Sequence, residues 1–193
     1  MHYTIFDTPV LRTLLRWFSL IMLSLLGWRL VGDFPRDKKY VLIGAPHTSN
    51  WDFPFTLMFC FAGGAKLYWM GKHTLFSGPA GPLMRWLGGI SVDRRQKNSL
   101  VEQMIEVYQR SDRLVVAVPP EGTRSRVSEW KTGFYHIACG AGVPIALGYL
   151  DFARKQGGVM GLFQPTGDIA RDMPQIRERY RDVRGRSEER RVG

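Results

Sequence analysis

Six short apolar runs punctuate the chain: YVLIGA at residues 40–45, AKLYWM at 65–70, GISV at 89–92, RLVVAV at 113–118, VPIALGYL at 143–150 and VMGLF at 159–163. Runs of this length, apolar at successive positions instead of alternate ones, predict strands buried on both faces. Between them the period changes. Over residues 100–110, Leu100, Val101, Met104, Ile105 and Tyr108 share one face at helical spacing, and SLVE at 99–102 offers a capping box to start that helix. WDFPFTLMFCFA at 51–62 predicts a second helix. It tolerates Pro54 because the residue falls in the first turn, where a backbone N–H has no helical partner to lose. Strands alternating with helices predict an α/β fold, a single domain with a mostly parallel central sheet flanked by helices.

The first segment, PVLRTLLRWFSLIMLSLLGWRLVG at residues 9–32, has a different pattern. Only 12 uncharged residues separate Arg16 from Arg29, short of the roughly 20 that cross hydrocarbon as a helix. Arg12, Arg16 and Arg29 flank a block rich in Leu, with Trp17 and Trp28 placed as at a headgroup boundary. This predicts an interfacial amphipathic helix within a membrane-interface region, residues 1–33. A helix buried against the domain's own core fits the same length. Acidic and polar residues precede the arginines and no small-residue cleavage pattern follows, so a secretory signal is not expected. Residues 34–170 form the main domain. The last stretch, 171–193, is dense in Arg with interspersed acids and predicts a frayed basic helix and a solvated tail with little to bury. No internal repeat is visible.

Composition adds one fact to this picture. The chain has 193 residues, 45% of them hydrophobic, which suits one folded domain; its formal net charge is +10 and its pI near 10.0. Such a charge attracts anions, whether nucleic acid, an anionic membrane surface or a phosphorylated substrate. The aromatics lie in apolar runs and are not interleaved with Lys or Arg, so a nucleic-acid platform is not expected. Cys60 and Cys139 sit in apolar stretches, which predicts buried inert thiols, no disulfide framework and a reducing compartment.

Several chemistries lack their signature. No GxxxxGK[ST] occurs, the Gly-rich stretch at 139–144 precedes a strand instead of opening a helix, and GxSxG is missing. His136 and Cys139 make one i, i+3 pair, too few for a structural zinc site, and no metal is expected. What remains is PHTSNWD, residues 46–52, directly after the first apolar run. With Ser49 or Asn50 as helix cap and Asp52 in the first turn, His47 and Asp52 can meet. A carboxylate on one ring nitrogen fixes the tautomer and aims the other at a substrate proton, as in removal of an alcohol proton during attack on a carbonyl. An ordinary capped turn that contains a His has the same sequence. GGISVDRR at 88–95 ends a strand with an acid and two arginines, and PPEGTRS at 119–125 places Glu121, Gly122, Thr123 and Arg124 at the carboxyl end of the most apolar strand. Parallel sheets present ligand groups there. Gly122 permits close backbone approach, Arg124 offers a fork of donors for phosphate oxygens, and Lys131 is a second candidate contact. Taken singly, an ion pair at Asp93 and Arg94 and a plain turn at residues 120–123 fit as well.

The four blocks HTSNWD (47–52), GISVDR (89–94), EGTRS (121–125) and VPI (143–145), in this order, resemble the glycerolipid acyltransferase family that includes the lysophosphatidic acid acyltransferases. The likeness covers roughly residues 40–150. It implies His47 as general base and Asp52 as its orienting partner, with Arg94, Glu121, Gly122 and Arg124 binding the acceptor's phosphate or polar head; Thr123 and Lys131, from the residue reading above, join them as substrate-binding candidates. It also implies acyl-CoA or acyl-carrier protein as co-substrate, no further cofactor, and a lysophospholipid acceptor, above all lysophosphatidic acid. The expected setting is an anionic membrane surface, on the cytoplasmic face of the cell membrane. The reaction expected is direct attack on the thioester, with no covalent enzyme intermediate and with oxyanion donors near the first block's turn.

Overall fold

The computed structural model describes residues 1–92, 99–122 and 129–186, the side chain of Ser99 excepted. In chain order the elements are α1 (Pro9–Leu25), β1 (Arg29–Val31), β2 (Lys39–Ala45), α2 (Asp52–Gly63), β3 (Tyr68–Lys72), α3 (Gly81–Trp86), β4 (Gly89–Val92), α4 (Ser99–Gln109), β5 (Leu114–Val118), α5 (Gly133–Ala141), β6 (Ile145–Asp151), β7 (Gln156–Phe163) and α6 (Ile169–Glu178). The strands form one sheet in the order β1-β7-β6-β2-β5-β3-β4. Every pairing is parallel except β6 with β7. All six apolar runs are strands of this sheet, so the α/β fold and its mostly parallel sheet follow the hydrophobic pattern. The addition is β1, a three-residue edge strand exposed throughout, too short to register as a run.

β2 lies at the centre, and its side chains feed two cores. Val41 and Ile43 join Val116 and Ile145 beneath Met104 and Tyr108 of α4 and Phe134 and Ile137 of α5. Tyr40 and Leu42 face the other way, with Val115 and Ala146, towards Cys60 and Phe61 of α2. Each fully buried aliphatic or aromatic side chain contributes about 1.5–3 kcal/mol, so the two layers fix the central strand firmly. Tyr108 satisfies its buried hydroxyl by donating to the Tyr40 carbonyl at 2.7 Å. Cys60 is fully buried, and burial pushes its thiol up to about 12, which keeps it protonated and inert. The capping contact expected of SLVE involves the Ser99 side chain and lies outside the described residues.

Three expectations need correction. Trp28 does not sit at a boundary: it is 7% exposed and packs among Phe55, Phe59 and Phe152, with ring centroids 4.5–5.9 Å away. Its indole has more apolar area to bury in that cluster than a surface position would cover. The C-terminal region is not a solvated tail up to residue 186. Met173, Ile176 and Tyr180 are buried in the core, and Tyr180 donates to the Gly148 carbonyl at 3.0 Å. Asp172, fully buried, accepts from Tyr135 Oη (2.8 Å), the Thr166 N–H (2.7 Å) and Thr166 Oγ1, which docks the start of α6 on α5. Residues 187–193 lie outside the described part. The third correction concerns the cap of α2: Trp51 occupies that position and no side chain caps it, the turn being closed instead by Asp52.

α1 packs one face against the domain and leaves the other exposed. Ser19 and Leu23 are buried, and Leu15 and Leu20 pack against the cores next to α2. The opposite face leaves Val10, Leu14, Trp17, Phe18, Ile21 and Leu25 exposed. The preceding turn is pinned by Asp7, which accepts from Lys66 Nζ at 2.6 Å and from the Thr4 N–H and hydroxyl. Among the described residues no helix is long and apolar enough to cross a membrane.

Candidate active site

β2 and β5 are adjacent and parallel, with Ile43 opposite Val118, so the residues that follow each strand emerge side by side at one edge of the sheet. This is the edge where doubly wound sheets bind ligands. Pro46 and His47 leave β2; Pro119 and Glu121 leave β5. The His47 N–H donates to Glu121 Oε1 at 3.2 Å, tying the two loops together.

Within the first loop, Asp52 opens α2 and turns its carboxylate back over the residues before it. Oδ2 accepts from the Thr48 N–H (2.7 Å), the Ser49 N–H (2.8 Å) and His47 Nδ1 (3.1 Å). A carboxylate also suits the helix N-terminus electrostatically. Because an ionised carboxylate only accepts, Nδ1 carries the ring proton and Nε2 is left as the basic nitrogen. Asp52 is 4% exposed, whereas the His47 ring is 23% exposed and lines the cavity. The chemistry available is proton abstraction by an oriented imidazole. The turn has few donors for a developing oxyanion, since the N–H groups of residues 47, 48, 49, 51 and 52 are already engaged with Glu121, Asp52 or Ser49. Among the described residues, that leaves the Asn50 N–H in this turn.

Glu121 is 8% exposed, and burial raises its carboxyl above the ordinary range, partly opposed by its own N–H and that of His47. Among the described residues its second oxygen, Oε2, is buried without a hydrogen-bond partner, as is Asp52 Oδ1. Two uncommitted acceptor oxygens thus stand near one imidazole. Gly122 has φ +64°, a left-handed conformation that favours glycine, and a Cβ there would lie 2.8 Å from Cδ of Lys131. The Lys131 stem therefore passes directly over the Gly122 backbone. Of the residues singled out from sequence, His47, Asp52, Glu121, Gly122 and Lys131 gather at these strand ends. Arg94, Thr123 and Arg124 lie outside the described residues.

The cavity at this edge has a volume of about 1220 Å³. His47, Asp52, Gly122 and Lys131 line it, and it continues between α2 and the sheet along Phe34, Leu42, Phe59 and Leu67. Gly44, one residue before the end of β2, also lines it; the place where a Cβ would stand has no atom within 4 Å. Sequence reasoning missed Gly44 as a site residue, although a glycine in a central strand, where it costs packing, is a usable signal of close approach. It also missed the hold of Glu121 on His47, which depends on strand adjacency alone.

Residues 29–146 match the acyltransferase family model, more than half of the chain, and the chain belongs to that family. It is 29% identical over 139 residues to the 1-acyl-sn-glycerol-3-phosphate acyltransferase of Haemophilus influenzae, an alignment that takes in 67% of this chain and 56% of the relative. The chain thus spans a little over half the length of that curated protein. The crystal structure of the 1-acyl-sn-glycerophosphate (LPA) acyltransferase from Thermotoga maritima shares the fold, with a TM-score of 0.61 at 18% identity over 87% of this chain and 76% of that one.

Proposed function

We propose that this chain transfers a fatty acyl group from acyl-CoA or acyl-carrier protein to the free hydroxyl of a lysophospholipid, first among them lysophosphatidic acid, in phospholipid synthesis. The observation that carries this reading is the His47 Nδ1–Asp52 Oδ2 contact of 3.1 Å at the rim of a largely apolar cavity. In the reaction, Nε2 takes the hydroxyl proton as the lipid oxygen attacks the thioester carbonyl. The carbonyl π electrons move to oxygen; their return expels the thiolate, which takes the proton back from the imidazolium. General-base assistance of this kind contributes about 100- to 10,000-fold. The apolar limb past Leu42, Gly44 and Phe59 receives the acyl chain, and Lys131, running over Gly122, pairs with the acceptor's phosphate. Arg94 and Arg124 supply further phosphate contacts on the family resemblance. The exposed apolar face of α1, with Arg12 and Arg16 beside it, rests on an anionic membrane surface on its cytoplasmic side and brings the cavity to amphiphilic substrates.

The test is transfer by purified protein to a panel of lysolipids, lysophosphatidate included, with acyl-CoA and acyl-carrier protein as donors and products resolved by mass. Wild type is expected to form the diacyl lipid, and His47→Ala to lose at least about 100-fold. Thioester hydrolysis that lysolipid does not redirect, or full transfer by the His47 variant, would defeat the proposal.

A further inference from the structure

After α6 the chain does not leave the molecule. Residues 182–186 run back across the catalytic edge of the sheet and are fastened there at several points. The Phe152 N–H, just past β6, donates to the Arg184 carbonyl at 2.9 Å. Arg154, itself held by Asp151, donates to the Asp182 carbonyl at 3.1 Å. Val183 packs against the core. Beyond these anchors the segment meets the first loop. Gly185 is buried so tightly against it that a Cβ would lie 2.6 Å from both Cγ2 and Oγ1 of Thr48 and 3.1 Å from Cγ of Pro46. The Arg186 guanidinium covers the face of Trp51, 5.2 Å from its ring centroid.

These contacts have a pattern. Pro46 and Thr48 are the neighbours of His47 on either side, and Trp51 immediately precedes Asp52. The imidazole–carboxylate pair lies in a loop that the C-terminal segment supports from both flanks while leaving the ring clear for the cavity. Cγ2 and Oγ1 of Thr48 sit on a short β-branched stem that cannot swing away as a lysine tip can. Any side chain at residue 185 must therefore push the loop itself, and with it the Thr48 N–H that Asp52 holds at 2.7 Å.

We infer that residues 182–186 are a positioning strap for the reaction proposed above, in which the bare backbone of Gly185 and the Arg186–Trp51 contact fix the loop that sets His47 against Asp52. Gly185 is a positioning residue and touches no substrate. Displacing a catalytic group by about 1 Å costs on the order of 100-fold in turnover. Gly185→Ala is expected to lower kcat by about that factor, with both KM values changed less than about 3-fold, since the contacts that bind substrate stay in place. Adding Thr48→Ala removes the two atoms in collision yet keeps the backbone N–H, so the double variant should recover to within about tenfold of wild type. A chain ending at Arg184 removes the support without introducing a clash and should lose at least about tenfold in kcat.

The kinetic arm rests on the acyl-transfer reading; a spectroscopic arm does not. In protein labelled with ¹⁵N-histidine, the His47 ring shifts should report a proton fixed on Nδ1 in wild type, a tautomer mixture in Gly185→Ala and in the shortened chain, and the fixed form again in the double variant. Absence of transfer by wild type would remove the enzymatic reading and leave the ring measurement as the judge of the strap. Unchanged ring shifts in both Gly185→Ala and the shortened chain would overturn the inference. So would wild-type kcat in either variant, or failure of Thr48→Ala to restore a folded Gly185→Ala protein.

Discussion

Asp52 gives one oxygen to three donors, and two substitutions divide those contacts. In Asp52→Asn the carboxamide oxygen must take the place of Oδ2, because an NH₂ there would face the N–H groups of Thr48 and Ser49 at 2.7 and 2.8 Å. Held that way round, the carboxamide still accepts from His47 Nδ1 and the ring keeps its tautomer. What disappears is the negative charge 3.1 Å from the ring, which in the proposed reaction steadies the imidazolium formed when the substrate proton arrives. For a ring about a fifth exposed, an effective dielectric of about 40 gives that charge roughly 3 kcal/mol, or about 100-fold in kcat. Asp52→Ala goes further. It frees the ring and strips the two backbone donors of their acceptor, at about 1–3 kcal/mol of stability each, so its turnover should fall towards the full general-base factor of about 10,000. Steady-state kcat with saturating lysophosphatidate and acyl-CoA, read by thiol release, separates the two. The reasoning fails if the Asn variant is as inactive as the Ala variant, which would make the tautomer argument empty, or if it matches wild type, which would leave the charge without a part in turnover.

Other variants probe the surrounding structure. Burial raises the Glu121 carboxyl, so its native state holds the proton more tightly than the unfolded chain does, and stability declines as pH climbs from the ordinary value of 4.5 through the raised one. Glu121→Gln removes that penalty while keeping an acceptor for the His47 N–H; its melting temperature relative to wild type should rise between pH 4 and pH 8, and a constant difference would count against an ionising buried carboxyl. Asp172 is the opposite case: burial works to raise its carboxyl, but bonds from the Thr166 backbone, Tyr135 and Thr166 hold it below the ordinary 3.8. Its contribution is present above pH 3.8 and is lost as pH falls through the lowered value, and Asp172→Asn should cost about 2 kcal/mol in denaturant titrations at pH 7. Trp17→Glu with Ile21→Glu alters two exposed positions of α1. Flotation with vesicles rich in anionic lipid should drop at least about tenfold while the melting temperature holds; undiminished flotation would place the membrane contact elsewhere.

How far the sequence reached depended on where each element's information lies. The strands were legible because burial on both faces leaves continuous apolar runs, and α4 because one face of it is solvated. α5 was not: GFYHIACGA buries Phe134, Tyr135, Ile137 and Ala138 and shows little contrast between faces. In the C-terminal region the signal was present and overlooked, since Met173, Ile176 and Tyr180 stand at i, i+3 and i+7 among the arginines. Trp28 was misplaced because its chain neighbour is Arg29, whereas its three aromatic partners come from α2 and the end of β6. The site followed the same rule. His47 and Asp52 are five residues apart and their contact could be proposed from one turn of chain, while the grip of Glu121 on the His47 backbone and of Gly185 on Thr48 requires knowing which strands are neighbours.

The sheet order has a consequence for how the molecule is made. β2 emerges early from the ribosome, yet its hydrogen-bonding neighbours β5 and β6 begin at Leu114 and Ile145, and β1 waits for β7 beyond Gln156. Loops of that length must close before any central pairing is rewarded. The nascent chain therefore carries β2 unpaired until β5 has been made, some seventy residues later, and α1 is complete before the sheet it packs against exists.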